Sequence, residues 1–168
     1  MSLKKTSDTV AISFDIDESA LNTFTQSQIN LTLDPLNNEV FVVLGVDLDV
    51  GAPSALAGTN TQSTMALTTT SKTAVPSLGD SQTLARVQSK IQAAGFADSG
   101  VGFQHTSPDT PTGMLDYIGI IATNNMFVQI QGANNLGAIS GAGRVWGYRA
   151  RADASVYGAL VQSEVLSA

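Results

Sequence analysis

Apolar side chains recur at every second position from residue 10 to 16 and again from 40 to 50, a period that only extended strands can bury on one face. In the first stretch Val10, Ile12, Phe14 and Ile16 point one way, while Thr9, Ala11, Ser13, Asp15 and Asp17 point the other. In the second, Val40, Val42, Leu44, Val46, Leu48 and Val50 are expected to share a face. Phe41 and Val43 make its first half apolar on both sides, which places that half in the centre of a sheet or under a covering neighbour. Weaker alternation over 23–34 sets Ile29, Leu31 and Leu33 against Asn30, Thr32 and Asp34. The string Asp34-Pro35-Leu36-Asn37-Asn38 then reads as a turn.

Further strands are expected at about 62–71 and from about Ala142 to Arg151. Leu115–Thr123 and Met126–Gln131 flank Asn124-Asn125, a pair that tolerates positive φ, so a hairpin is predicted there. Residues 80–94 carry helical spacing instead, with Leu84, Val87 and Ile91 on one stripe, Asp80 or Ser81 to cap the start and Gly95 the end. A short terminal helix is predicted after Asp153 or Ser155, carrying Val156, Leu160, Val161 and Val165. Many short strands without alternating helices argue against a parallel α/β sheet. The expected fold is all-β and mainly antiparallel: a jelly-roll-like β-sandwich of about eight strands with one internal and one C-terminal helix. At 168 residues it is expected to be one domain spanning 1–168, with 1–7 as a flexible arm.

The chain has no cysteine, which excludes thiolate catalysis, disulfides and Cys-ligated zinc. Residues 1–60 hold two lysines against eight carboxylates, and residues 61–168 balance six basic with six acidic groups. That acidic half argues against broad phosphate-backbone binding, and the chain carries no strong nucleic-acid signal. No apolar stretch follows Lys4 and Lys5, so no signal peptide is expected, and Val40 to Val46 is too short to span a bilayer.

No constellation dictates a reaction. His105 is the single histidine, in a turn-like polar string, and nothing resembles a nucleophile elbow, so the chain is not expected to be an enzyme. Glycines at 132, 137, 141 and 143 lack phosphate-loop spacing and read as turns and bulges. Asp15 and Asp17 share one strand face, as do Asp47 and Asp49. If those strands met, four carboxylates could hold calcium; otherwise they mark a solvated face. No cofactor is otherwise expected. The string Arg144-Val145-Trp146-Gly147-Tyr148-Arg149-Ala150-Arg151 holds the only tryptophan. Alternation puts Arg144, Trp146 and Tyr148 on one face, and Arg149 and Arg151 on the other. It reads either as a stacking-and-guanidinium binding surface or as an inner strand whose arginines pair with carboxylates.

The C-terminal third, through "MFVQIQGANN" and "GRVWGYRARADASVYGALVQSEVLS", resembles the end of small structural proteins of icosahedral viruses. The whole profile, with a short basic start, strands rich in Ser, Thr, Asn, Gln and Gly, few charges and no cysteine, is similar to single jelly-roll capsid proteins. That resemblance implies a virion location, self-assembly with copies of itself and other virion proteins, and no catalytic residues. Only Lys4 and Lys5 are basic at the start, short of the long basic arm with which such proteins package a genome. The alternative is a receptor- or carbohydrate-binding sandwich, such as a spike or fibre head.

Overall fold

The computed structural model describes residues 3–95, the backbone of 103–106, and residues 115–166. Among the described residues ten strands form two antiparallel five-stranded sheets. They are β1 (Leu3–Lys5), β2 (Val10–Asp17), β3 (Thr25–Asn30), β4 (Glu39–Val50), β5 (Thr61–Thr68), β6 (Thr83–Gln92), β7 (Phe103–Thr106), β8 (Gly119–Ile121), β9 (Asn125–Ala133) and β10 (Ser140–Ala152), followed by helix α1 (Ala154–Leu166). The first sheet runs β2-β10-β4-β8, with β1 pairing the far end of β10; the second runs β3-β9-β5-β6-β7. First and last long strands lie side by side, and successive strands mostly alternate between sheets. That order, two interleaved Greek keys, is the jelly roll.

Between the sheets lies the main core. Ile16 from β2, Phe41, Val43, Val46 and Leu48 from β4, Met65 and Leu67 from β5, Val128 and Ile130 from β9, and Val145 from β10 meet there. Gly147 is required at its position, because a Cβ would strike the Val42 carbonyl oxygen and the Phe41 ring.

The alternation of β4 does not run unbroken. Trp146 of β10 stands opposite Gly45 and Gly147 opposite Val43, so Leu44 is an extra, unpaired residue. This bulge moves the core-facing set from Phe41 and Val43 to Val46 and Leu48. Leu44, expected inside with Val42 and Val46, is 37% exposed. Val40 and Val42 face the other way, into a second cluster with Ala122, Ala150 and Ala152. Helix α1 covers that cluster with Val156, Tyr157, Leu160 and Val161, and Asp153 caps it by accepting from the Val156 N–H (2.9 Å).

Three other expectations are corrected. Residues 83–92 are strand β6 and not a helix: Ala85, Val87 and Ser89 are buried at a period of two, and pairing with β5 overrides the helical spacing. Gly95 is described, but residues 96–102 and 107–114 are outside the described residues. Asn124-Asn125 does not close a hairpin, because β8 pairs with β4 in one sheet and β9 with β3 and β5 in the other. The chain changes sheets there, and Asn124 ties the corner down: its carbonyl accepts from the Leu31 N–H (3.0 Å) and its side chain from the Leu33 N–H. Finally, Leu3–Lys5 is no loose arm but a strand on β10, with Leu3 packed under the helix cluster.

The outer face of the second sheet is covered as well. Residues 69–82 return over it: the Lys72 N–H donates to Gln26 Oε1 (2.8 Å), Thr69 Oγ1 to Gln82 Oε1, and Lys72 pairs with Asp80 (2.9 Å). Beneath them Gln129 is fully buried, its amide donating to Gln26 Oε1 (3.0 Å) and Thr68 Oγ1 (2.7 Å).

Candidate functional site

Strand β10 lies between β2 and β4, and its register decides which predicted residues meet. Arg144 stands between Ser13 and Asp47, Ala142 between Asp15 and Asp49, and Trp146 between Ala11 and Gly45. Helix α1 covers the other end of this face, so the uncovered half is a shallow groove of about 460 Å³. Ala142 and Gly143 floor it, Asp15, Asp47 and Asp49 line it, and Arg144 with Trp146 closes one end. The Arg144 guanidinium lies 6.0 Å from the Trp146 ring, and its Nε donates to Ser13 Oγ (3.1 Å). The groove therefore unites residues that the sequence suggested separately, a binding string and a set of carboxylates.

The other members stand elsewhere. Tyr148 packs in the helix cluster, with Lys5 Nζ 4.8 Å from its ring centre. Arg149 lies on the opposite face, where Nη2 donates to the Leu31 carbonyl (2.8 Å) and Thr32 Oγ1 (3.0 Å), and Nε lies 3.7 Å from Glu39 Oε1. Thr32 has φ 53°, so Arg149 clamps a left-handed corner to the sheet. Arg151 is exposed in β10, and Asp17 is opposite Ser140. Strands β2 and β4 are not neighbours, so Asp15 and Asp49 face each other across Ala142. Among the described residues no three His, Asp or Glu side chains are grouped to hold a metal ion. His105 belongs to edge strand β7, in register with Lys90.

Two carboxylates went unnoticed in the sequence. Glu18 is buried and accepts from the Gly132 N–H (2.6 Å) and the Ile139 N–H (2.9 Å). It anchors one end of the sandwich, where three loops meet. Asn22 Nδ2 donates to the Asn135 carbonyl (3.2 Å) and Asn22 Oδ1 accepts from its N–H (3.0 Å). Asn135 Oδ1 accepts from the Ser54 N–H (2.9 Å), and Ser54 Oγ from the Leu136 N–H (3.0 Å). On this fixed frame Leu21 is 49% and Leu136 74% exposed. The second carboxylate, Glu164, is buried at the end of α1 and accepts from the backbone N–H groups of Ala122 (2.8 Å) and Thr123 (3.1 Å). Glu18 continues the inward parity of Val10 to Ile16, and Glu164 the stripe of Tyr157, Leu160 and Val161; both signals were present.

No known family model matches this chain, and no curated protein does. Among the described residues no helix is long and apolar enough to cross a membrane.

Proposed function

We propose that this chain is a structural subunit of a virion, assembling through contacts with copies of itself and with other virion proteins into a capsid shell. The observation that carries the reading is the loop end of the sandwich. Leu21 and Leu136 project from loops that Glu18, Asn22, Ser54 and Asn135 hold in one arrangement. A loop already held loses little entropy on docking, and covering one leucine stabilises a contact by about 1.5–3 kcal/mol. Fold alone does not imply function. The jelly-roll strand order and the resemblance to capsid proteins support the same reading without carrying it.

The test is mass in solution by size-exclusion chromatography with light scattering. The expected result is an oligomer at micromolar concentration, reduced to monomer by Leu136→Asp with an unchanged circular dichroism spectrum. A wild-type chain that stays monomeric at high concentration, whatever the salt or crowding, overturns it. A second reading rests on the groove, where the Trp146 ring, Arg144 and the carboxylates combine an apolar face with hydrogen-bonding groups, the chemistry that sugars take. Binding on a glycan array that Trp146→Ala abolishes would favour this carbohydrate-binding module.

A further inference from the structure

We infer that a pocket around Arg86, on the outer face of the second sheet, is a binding site for a small oxyanion, a carboxylate or phosphate group. Arg86 lies in β6 opposite Ala66 of β5, on the side covered by residues 69–82. Its Nη1 donates to Gln88 Oε1 (3.2 Å), while its Nε is buried without a partner. Among the described residues no carboxylate forms an ion pair with Arg86; Lys72 pairs with Asp80 and Arg149 with Glu39. Burial lowers its pKa, but a guanidinium keeps its proton, so a charge stands half-covered with its fork incompletely used.

Beside it is a pocket of about 250 Å³ lined by Gln62, Thr64, Val75 and Gln131, with no carboxylate among the lining residues. Thr64 Oγ1 accepts from Gln62 Nε2 (2.8 Å), which leaves the Thr64 O–H to donate. A planar or tetrahedral oxyanion would receive Arg86 on one side and this hydroxyl and the Gln131 amide on the other. Fork-shaped donors prefer such groups to chloride. The net charge of −6 means that local geometry, not overall attraction, selects the ligand. The oxyanion can come from solution or from a carboxylate of a neighbouring copy.

Thermal unfolding at constant ionic strength tests this, with sodium phosphate or sodium acetate replacing chloride. At dilute protein the midpoint should rise saturably, by roughly 3–6 °C at ten times the dissociation constant. Arg86→Met should lose the rise, Arg86→Lys should retain only part of it, and Arg144→Met should leave it whole. Thr64→Val reads the same site should Arg86→Met not fold, and should weaken the anion several-fold. No rise with either anion, or an equal rise in Arg86→Met, overturns the proposal. The source is read separately, from self-association. If phosphate dissociates wild-type oligomers and Arg86→Met oligomers are weaker and phosphate-insensitive, the natural oxyanion is a neighbour's carboxylate. If phosphate raises the midpoint while association is unchanged, it is a free anion.

Discussion

Alanine at Phe41 and at Leu44, one at a time, tests the bulge that sets the faces of β4. Phe41 has no exposed surface and its ring lies in the core between the sheets, against the space left by Gly147. Emptying such a site costs about 3–5 kcal/mol, the transfer of the ring plus the cavity it leaves. In a chain of this length about 2–4 °C of melting temperature follows each kcal/mol, so the midpoint should fall by roughly 6–20 °C. Leu44 is the unpaired residue, 37% exposed, and packs in neither buried cluster. Its truncation should cost under about 1 kcal/mol. Urea unfolding followed by the fluorescence of Trp146, the only tryptophan and a cross-strand neighbour of Gly45, reads both variants, and an unchanged m-value licenses the comparison. A loss above about 2 kcal/mol at Leu44, with a loss below about 1 kcal/mol at Phe41, would refute the bulge and restore unbroken alternation.

Glu164→Ala should destabilise by roughly 1–3 kcal/mol in the same assay, because it strands the N–H groups of Ala122 and Thr123 beneath the helix. Asp80 has its pKa held below the usual carboxylate range, first by the hydrogen bond from Lys72 and next by that from the Gln82 N–H. A depressed folded pKa contributes stability above the unfolded value and loses it as pH falls through the folded one. Acidification below the ordinary carboxylate range should therefore loosen residues 69–82 by under about 1 kcal/mol, the pair being partly exposed and screened by solvent. Protection factors in that segment, taken against the intrinsic exchange rate at each pH, should fall at acid pH in the wild type and stay unchanged in Asp80→Asn. Chelator and millimolar calcium should leave the melting temperature unchanged, since Ala142 separates Asp15 from Asp49 and no three carboxylates are grouped among the described residues.

What the chain reveals before folding follows from the range of the forces involved. Strands β2, β5 and β10 and the capped terminal helix lie close to their predicted positions, because alternation and capping are local signals. The turn after Asp34 is equally local: its carboxylate accepts from the Leu36 N–H (3.0 Å), Pro35 opens the 3-10 turn, and Asn38 takes φ 52°. Strand β6 was misread because Leu84, Val87 and Ile91 satisfy a helical stripe while Ala85, Val87 and Ser89 satisfy the sheet. Only pairing with β5 chooses between them. The corner at Asn124 failed for a related reason, since a two-residue turn between apolar runs looks alike whether the runs pair or part into different sheets. The groove was half legible: alternation put Arg144 and Trp146 on one face and each aspartate pair on another, but the register that unites them comes from β10 entering between β2 and β4.

The covered faces also decide how assembly can be tested. The doubly apolar first half of β4 and the apolar residues of the terminal helix both call for a covering partner. The fold satisfies them internally, since α1 lies on Val40, Val42, Ala150 and Ala152 of its own chain. Removing the residues after Ala152 would uncover that cluster and free the Ala122 and Thr123 N–H groups, so a resulting loss of oligomer would report on folding. Leu136→Asp avoids this difficulty. The side chain is 74% exposed and its backbone N–H is held by Ser54 Oγ, so the substitution leaves core and loop frame alone while placing a charge where a contact would be dry. The shell reading expects this variant to keep the wild-type melting temperature within about 2 °C, as surface changes do, and yet to stay monomeric. Oligomers that persist in Leu136→Asp at unchanged stability would move the contacts away from the loop end and remove the observation on which the reading stands.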